Sequence, residues 1–173
     1  LPKPKPKKGI AFMRNSVSQS PADDEAVVRQ SITVPLAPAA AFALWTDQIH
    51  TWWPVSHSRS GDPATQVIFE RGIGGRFYER TADGTEFDWG HVVVWQPPEH
   101  LAYHWYLGSG PTQPTRVDVR FVAVGEAQTQ VEVVHRGPEL IGELWRVNNA
   151  RYRAAWAVVL PAYAAAVTAS FSA

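Results

Sequence analysis

Six histidines, eight tryptophans and the absence of cysteine limit the chemistry open to this 173-residue chain. Without thiols there is neither a disulfide framework nor a thiolate metal site. No G-x-S-x-G elbow and no P-loop occurs, and Gly72-x-Gly74-Gly75 turns into a strand instead of opening a helix, so it is no phosphate cradle. Glu70, Glu79 and Glu86 fall near strand ends or among polar neighbours, which leaves no carboxylate pair in an apolar setting. His100 and His104 are spaced like a helical metal pair. They lie in a strand pattern, where four residues span about 13 Å, too far to share one ion. No metal and no cofactor is therefore expected.

The remaining candidates concern binding. His135 shares parity with Val131 and Val133, so it points to the apolar side of its strand. There it is either a buried neutral ring satisfied by a hydrogen bond, or a group that orients a ligand or exchanges a proton with it. His91 has the same two readings. Its parity with Trp89, Val93 and Trp95 places it inward, although Val92 and Val94 make the opposite face equally apolar. Asn148 and Asn149 interrupt the apolar stripe of the last helix and need partners, because an unpaired buried amide costs about 1–3 kcal/mol. They either bond neighbouring loops or reach a bound ligand. Trp53, Trp89, Trp105 and Trp156 are core rings or the walls of a slot for a planar molecule. The ligand-binding set expected is Trp53, Phe77, Trp89, His91, Trp105, Val119, His135, Asn149, Tyr152 and Trp156, with no residue assigned to catalysis.

The elements that must position these residues follow from pattern. From Gly74 to Leu107 the chain reads as three antiparallel strands. Asp83-Gly84 turns the first into the second, and Gln96-Pro97-Pro98-Glu99 turns the second into the third. Val27–Val34 alternates as a strand closed by Pro35. Pro38–Thr46 is a short helix with proline in its first turn. Asp47–Trp53 continues as a second helical segment, residues 55–66 form a loop, and a short strand occupies Val67–Glu70. Arg116–Val124 and Gln130–Arg136 complete one antiparallel sheet of six or seven strands. Glu143 to about Thr168 is the longest helical pattern, with Trp145, Asn148, Asn149, Tyr152, Trp156, Val159, Tyr163 and Val167 in one stripe and a kink expected from Pro161. One long amphipathic helix against a twisted antiparallel sheet is an α+β helix-grip layout.

Composition bounds the rest. Formal charge is zero, but Lys3, Lys5, Lys7, Lys8 and Arg14 precede any acid. Beyond them eleven basic residues face sixteen acidic ones, a balance unlike that of a nucleic-acid-binding domain. Residues 1–26 alternate Lys with Pro and continue polar, which reads as a disordered arm, and residues 27–170 as one domain. No apolar run reaches the roughly 18 residues of a membrane span and no signal-peptide core opens the chain. A cytoplasmic protein without membrane insertion is expected.

Particular residues carry a resemblance. Trp52-Trp53-Pro54, Gly74-Gly75-Arg76-Phe77, Trp89-Gly90-His91-Val92 and Pro97-Pro98-Glu99-His100-Leu101 occur in order with Trp105 downstream. His135-Arg136-Gly137 then precedes a helix carrying Tyr152 and Trp156. In joint order and spacing, from about Val27 to Val167, the chain resembles the activator of heat-shock-protein-90 ATPase homologue family of the START/Bet v 1-like (SRPBCC) superfamily. That resemblance implies a curved sheet wrapped around the C-terminal helix with an apolar cavity between them. Superfamily members bind lipids, hormones or polyketides, some catalyse cyclisation or dehydration, and the family name comes from co-chaperones. The function expected first is binding of an apolar aromatic or acyl molecule. The alternatives are a cofactor-free cyclase, dehydratase or hydrolase using His135 or His91 as general acid–base, and a co-chaperone module stimulating a heat-shock-protein-90 ATPase.

Overall fold

The computed structural model describes residues 27–137 and 142–171. The expectation placed on residues 1–26 lies outside them. Strand β1 (Val27–Val34) leads through Pro35 to helix α1 (Pro38–Thr46), then to single helical turns at Ile49–Thr51 and Val55–His57. Strands β2 (Gln66–Phe69), β3 (Arg76–Arg80), β4 (Glu86–Gln96), β5 (His100–Trp105), β6 (Thr115–Gly125) and β7 (Gln128–Arg136) follow, and helix α2 (Glu143–Ser170) closes the order. The seven strands form one antiparallel sheet, β1-β7-β6-β5-β4-β3-β2, in which the first strand pairs with the last. The sheet curls into a half-barrel around α2, which stays helical through Pro161. None of the described helices is long and apolar enough to cross a membrane.

Alternation decides which side chains meet the helix. In β6 and β7 the inward series Thr115, Val117, Val119 and Phe121 faces His135, Val133 and Val131, all 2% exposed or less. Leu101, Tyr103 and Trp105 of β5 continue that surface. From α2 come Trp145, Asn148, Tyr152, Trp156, Val159, Tyr163 and Val167, all buried. This is the stripe read from sequence, except that Asn149 turns to its half-buried edge.

The interior is filled unevenly along α2. At the C-terminal half, α1 inserts Trp45 between Phe121, Trp52, Tyr163 and Trp156, with ring centroids 5.0–6.4 Å apart. The Tyr163 hydroxyl donates to the Ala41 carbonyl at 2.8 Å and fixes α1 to α2. Each buried ring contributes roughly 1.5–3 kcal/mol by leaving water, so this half is the mechanical core. Among the described residues nothing like α1 enters at the N-terminal half. The space is bounded by β5, β7 and the segment after Trp53.

Strand β4 departs from simple alternation twice. Register slips opposite Phe77/Tyr78 and again between Val92 and Val94. Each bulge inserts one unpaired residue and reverses the facing beyond it. Trp89 and Trp95 thereby both point inward although His91 between them points out. The first bulge needs Gly90, since a Cβ there would stand 1.8 Å from the His104 carbonyl oxygen.

Candidate functional site: an aromatic cavity beside the long helix

A cavity of about 550 Å³ opens between the N-terminal half of α2, the ends of β5 and β7, and the residues after Trp53. Its walls are the rings of Trp53, Trp105, Trp156 and Tyr152, with His135 at the back. Ala155 and Val159 keep the helix side shallow, and Ser56, His57, Asn148 and Arg151 stand along it as polar members. No Asp or Glu is among the described residues lining it.

Each wall is held by bonds that leave the ring little freedom. Trp53 donates from its indole to the His57 carbonyl at 3.2 Å and packs on Phe77, Trp89 and Trp105 at 5.4–6.0 Å. The segment carrying Ser56 to Ser58 is tied down by Glu79, which is fully buried and accepts from the backbone N–H groups of Arg59 at 2.8 Å and Ser60 at 2.7 Å. Tyr152 donates to the Leu107 carbonyl at 3.2 Å. That approach requires Gly108, whose φ is +92° and whose absent Cβ would lie 2.9 Å from the tyrosine oxygen.

The hydrogen bonds around His135 fix its protonation. The Trp156 indole, a donor only, gives its N–H to His135 Nδ1 at 3.1 Å, so Nδ1 carries no proton. The neutral ring must then hold its proton on Nε2 and donate it to Thr115 Oγ1 at 2.7 Å. The Thr115 hydroxyl passes its own to the Trp105 carbonyl at 3.3 Å. Burial pushes the imidazole down to about 3, and a proton added at Nδ1 would face the indole N–H. His135 is a neutral structural link between the two tryptophan walls.

Five of the residues expected from sequence meet at this cavity: Trp53, Trp105, His135, Tyr152 and Trp156. Phe77 and Trp89 lie one layer deeper, fully buried behind Trp53 and Trp105. Val119 is sealed in the sheet between Leu101 and Val133. Asn148 lines the cavity in place of Asn149, because the adjacent position is rotated by about 100° on the helix. His91 is on the other face of the sheet, opposite His104 in register and hydrogen-bonded through Nδ1 to the Tyr106 hydroxyl. The facing that the sequence leaves open for His91 is thus outward, because the two bulges turn Trp89 and Trp95 inward and not His91. Sequence reasoning did not single out Ser56, His57 or Arg151 as site residues. Loop serines carry no periodicity, and Arg151 sits on the helix flank where charge is usual. Among the described residues no group of three His, Asp or Glu side chains could hold a metal.

Comparison with known proteins agrees with this architecture. The family model for "Activator of Hsp90 ATPase homolog 1-like protein" matches residues 35–158. No curated protein matches. Among solved structures, the chain is similar to an anthrahydroquino-gamma-pyrone synthase, Txn09, with 30% identity and a TM-score of 0.51 over 70% of this chain and 84% of that one. A protein from Rhodobacter sphaeroides shares the fold at 17% identity and a TM-score of 0.63, over 84% of this chain and 93% of its own. One from Nitrosomonas europaea does so at 10% identity and 0.61, over 87% and 99%. With a curled sheet around α2 and a family model spanning most of the described sheet and helix, the chain belongs to the activator of Hsp90 ATPase homologue 1-like family.

Proposed function

We propose that this chain binds a flat aromatic small molecule in the cavity beside α2, and that residues 27–170 form the ligand-binding domain. The observation that carries the reading is a space of about 550 Å³ walled by three tryptophans and a tyrosine, each ring clamped by its own hydrogen bond or by ring packing. Rigid rings give large contact area at little entropic cost, and the volume is that of a small-molecule pocket. The arrangement around His135 weighs against proton transfer, because both ring nitrogens are engaged and the charged form is disfavoured. His91, on the far face, cannot reach a molecule in this space.

Ala155→Trp tests the reading. Ala155 lines the cavity beside Trp156, so an indole there occupies the ligand's place without disturbing the core. Native mass spectrometry and quenching of tryptophan fluorescence are expected to detect planar aromatics with the unaltered protein. Loss of binding by tenfold or more is expected in the variant. Equal binding by both proteins would sink the site.

Similarity to a synthase at 30% identity favours a second reading, in which the cavity shapes an aromatic precursor for ring closure. It predicts that a bound precursor comes back ring-closed, as an isomer of equal mass with a new absorption spectrum or lighter by one water where closure eliminates it, whereas simple binding returns the molecule intact. A heat-shock-protein-90 partner rests on the family description alone; stimulation of that ATPase would survive Ala155→Trp.

A further inference from the structure

Among the described residues, the mouth of the cavity carries charge of one sign. Several arginines elsewhere are paired with carboxylates: Arg71 with Asp47, Arg76 with Glu86 and Asp88, Arg80 with Glu86, Arg116 with Asp118. Arg151 has no carboxylate partner among the described residues, and it lines a cavity with no acid in its walls. Its guanidinium makes one long hydrogen bond, 3.4 Å from Nη1 to Asn148 Oδ1. The amide of Asn148, in turn, reaches the Gly108 carbonyl only at 3.5 Å. Both donors are held near the opening by contacts too long to be strong, and a ligand group displaces them at little cost.

Their position relative to the rings is set by the helix. Asn148, Arg151 and Tyr152 follow one another around the same turn, with Ala155 and Trp156 on the next. A ring system resting on Trp53, Trp105 and Trp156 therefore has a guanidinium and an amide N–H₂ beyond one end. Planar guanidinium matches the two oxygens of a carboxylate in a bidentate pair, which a neutral ligand does not offer. An aromatic cation would find no counter-charge among the described residues that line the cavity.

We propose that the ligand class of this cavity is the aromatic acids, with rings against the three tryptophans and a carboxylate at the mouth held by Arg151 and Asn148. This rests on the cavity being a ligand site. The probes are 2-anthracenecarboxylate and 2-anthracenecarboxamide, equal in ring and shape and different in charge. Affinities are measured by tryptophan quenching for the unaltered chain, Arg151→Gln and Ala155→Trp.

The acid is expected to bind roughly fivefold or more tighter than the amide at low salt, with the advantage shrinking in 1 M salt. Arg151→Gln, an exposed position, should erase that advantage by weakening the acid several times more than the amide. Equal binding of acid and amide by the unaltered protein overturns the acid preference and leaves the ligand site standing. A preference that persists in Arg151→Gln also overturns it. If neither probe binds, or both bind Ala155→Trp as well as the unaltered chain, the ligand site itself falls, and the acid preference with it.

Discussion

His135 shows how one side chain converts burial into pH dependence. It is 1% exposed, held neutral by the Trp156 N–H on one nitrogen and Thr115 on the other, and pushed down to about 3. In the unfolded chain the same ring titrates near 6.5. The unfolded state therefore binds one more proton between these values. Stability is fully present above about pH 6.5 and falls as pH drops toward 3, with a slope of at most about 1.4 kcal/mol per pH unit from this group. His104 contributes in the same direction, lowered by burial first and then by His91 and Arg116. Carboxylates held low, such as Asp83 at about 2, add their losses from about pH 5 downward. The window from about pH 5.5 to 6.5 thus reports mainly the histidines. In His135→Gln the amide can accept from Trp156 and donate to Thr115. Urea unfolding across that window should show the variant's stability falling less steeply with acid than that of the unaltered chain. Identical slopes would mean that His135 is not kept neutral by its surroundings.

Among the elements, β4 supplies the layer behind the Trp53–Trp105 wall of the cavity. Its two bulges bring Trp89 and Trp95 inward on either side of an outward His91, and at Gly90 a side chain would run into the backbone of β5. Gly90→Ala places a methyl 1.8 Å from a backbone oxygen that cannot rotate away, so β4 and β5 must separate near Trp105. A loss of about 3 kcal/mol or more is expected in urea unfolding, together with weaker binding at the Trp53–Trp105 wall. A cost under 1 kcal/mol would show that the bulge is soft. The bulges also mark where the sequence stops being readable. Period-2 alternation and the Asp83-Gly84 and Pro97-Pro98 turns specify the strands and their order of pairing, because each is a local signal. An extra unpaired residue leaves only a glycine as trace, so parity counted across Gly90 misplaces His91. The helix stripe was legible for the converse reason: 100° per residue runs unbroken from Trp145 to Val167, and Tyr152 and Trp156 fall where expected. Ser56 and His57 reach the cavity because Glu79, about twenty residues away, captures the backbone just after them. No local pattern records that contact.

In the molecule as a whole, the filled and open halves of the sheet–helix interior divide stability from binding. Trp45, Phe121 and Tyr163 occupy one half completely, while the other keeps about 550 Å³ between clamped rings. An apolar wall without a partner forgoes dispersion contacts and keeps its area in water. Whatever fills the space should therefore stabilise the fold, by linkage if it is a ligand and permanently if it is a side chain. A ligand at ten times its Kd adds about 1.4 kcal/mol, which for a chain of this size raises Tm by roughly 3–6 °C. With 2-anthracenecarboxylate, thermal unfolding of the unaltered protein should show that rise. Ala155→Trp should begin at an equal or higher Tm and show none, since its indole already covers the rings. A variant that melts lower and still responds to the acid would place the stabilising contacts somewhere other than this cavity. The division between a mechanical half and a receiving half of α2 would then not hold.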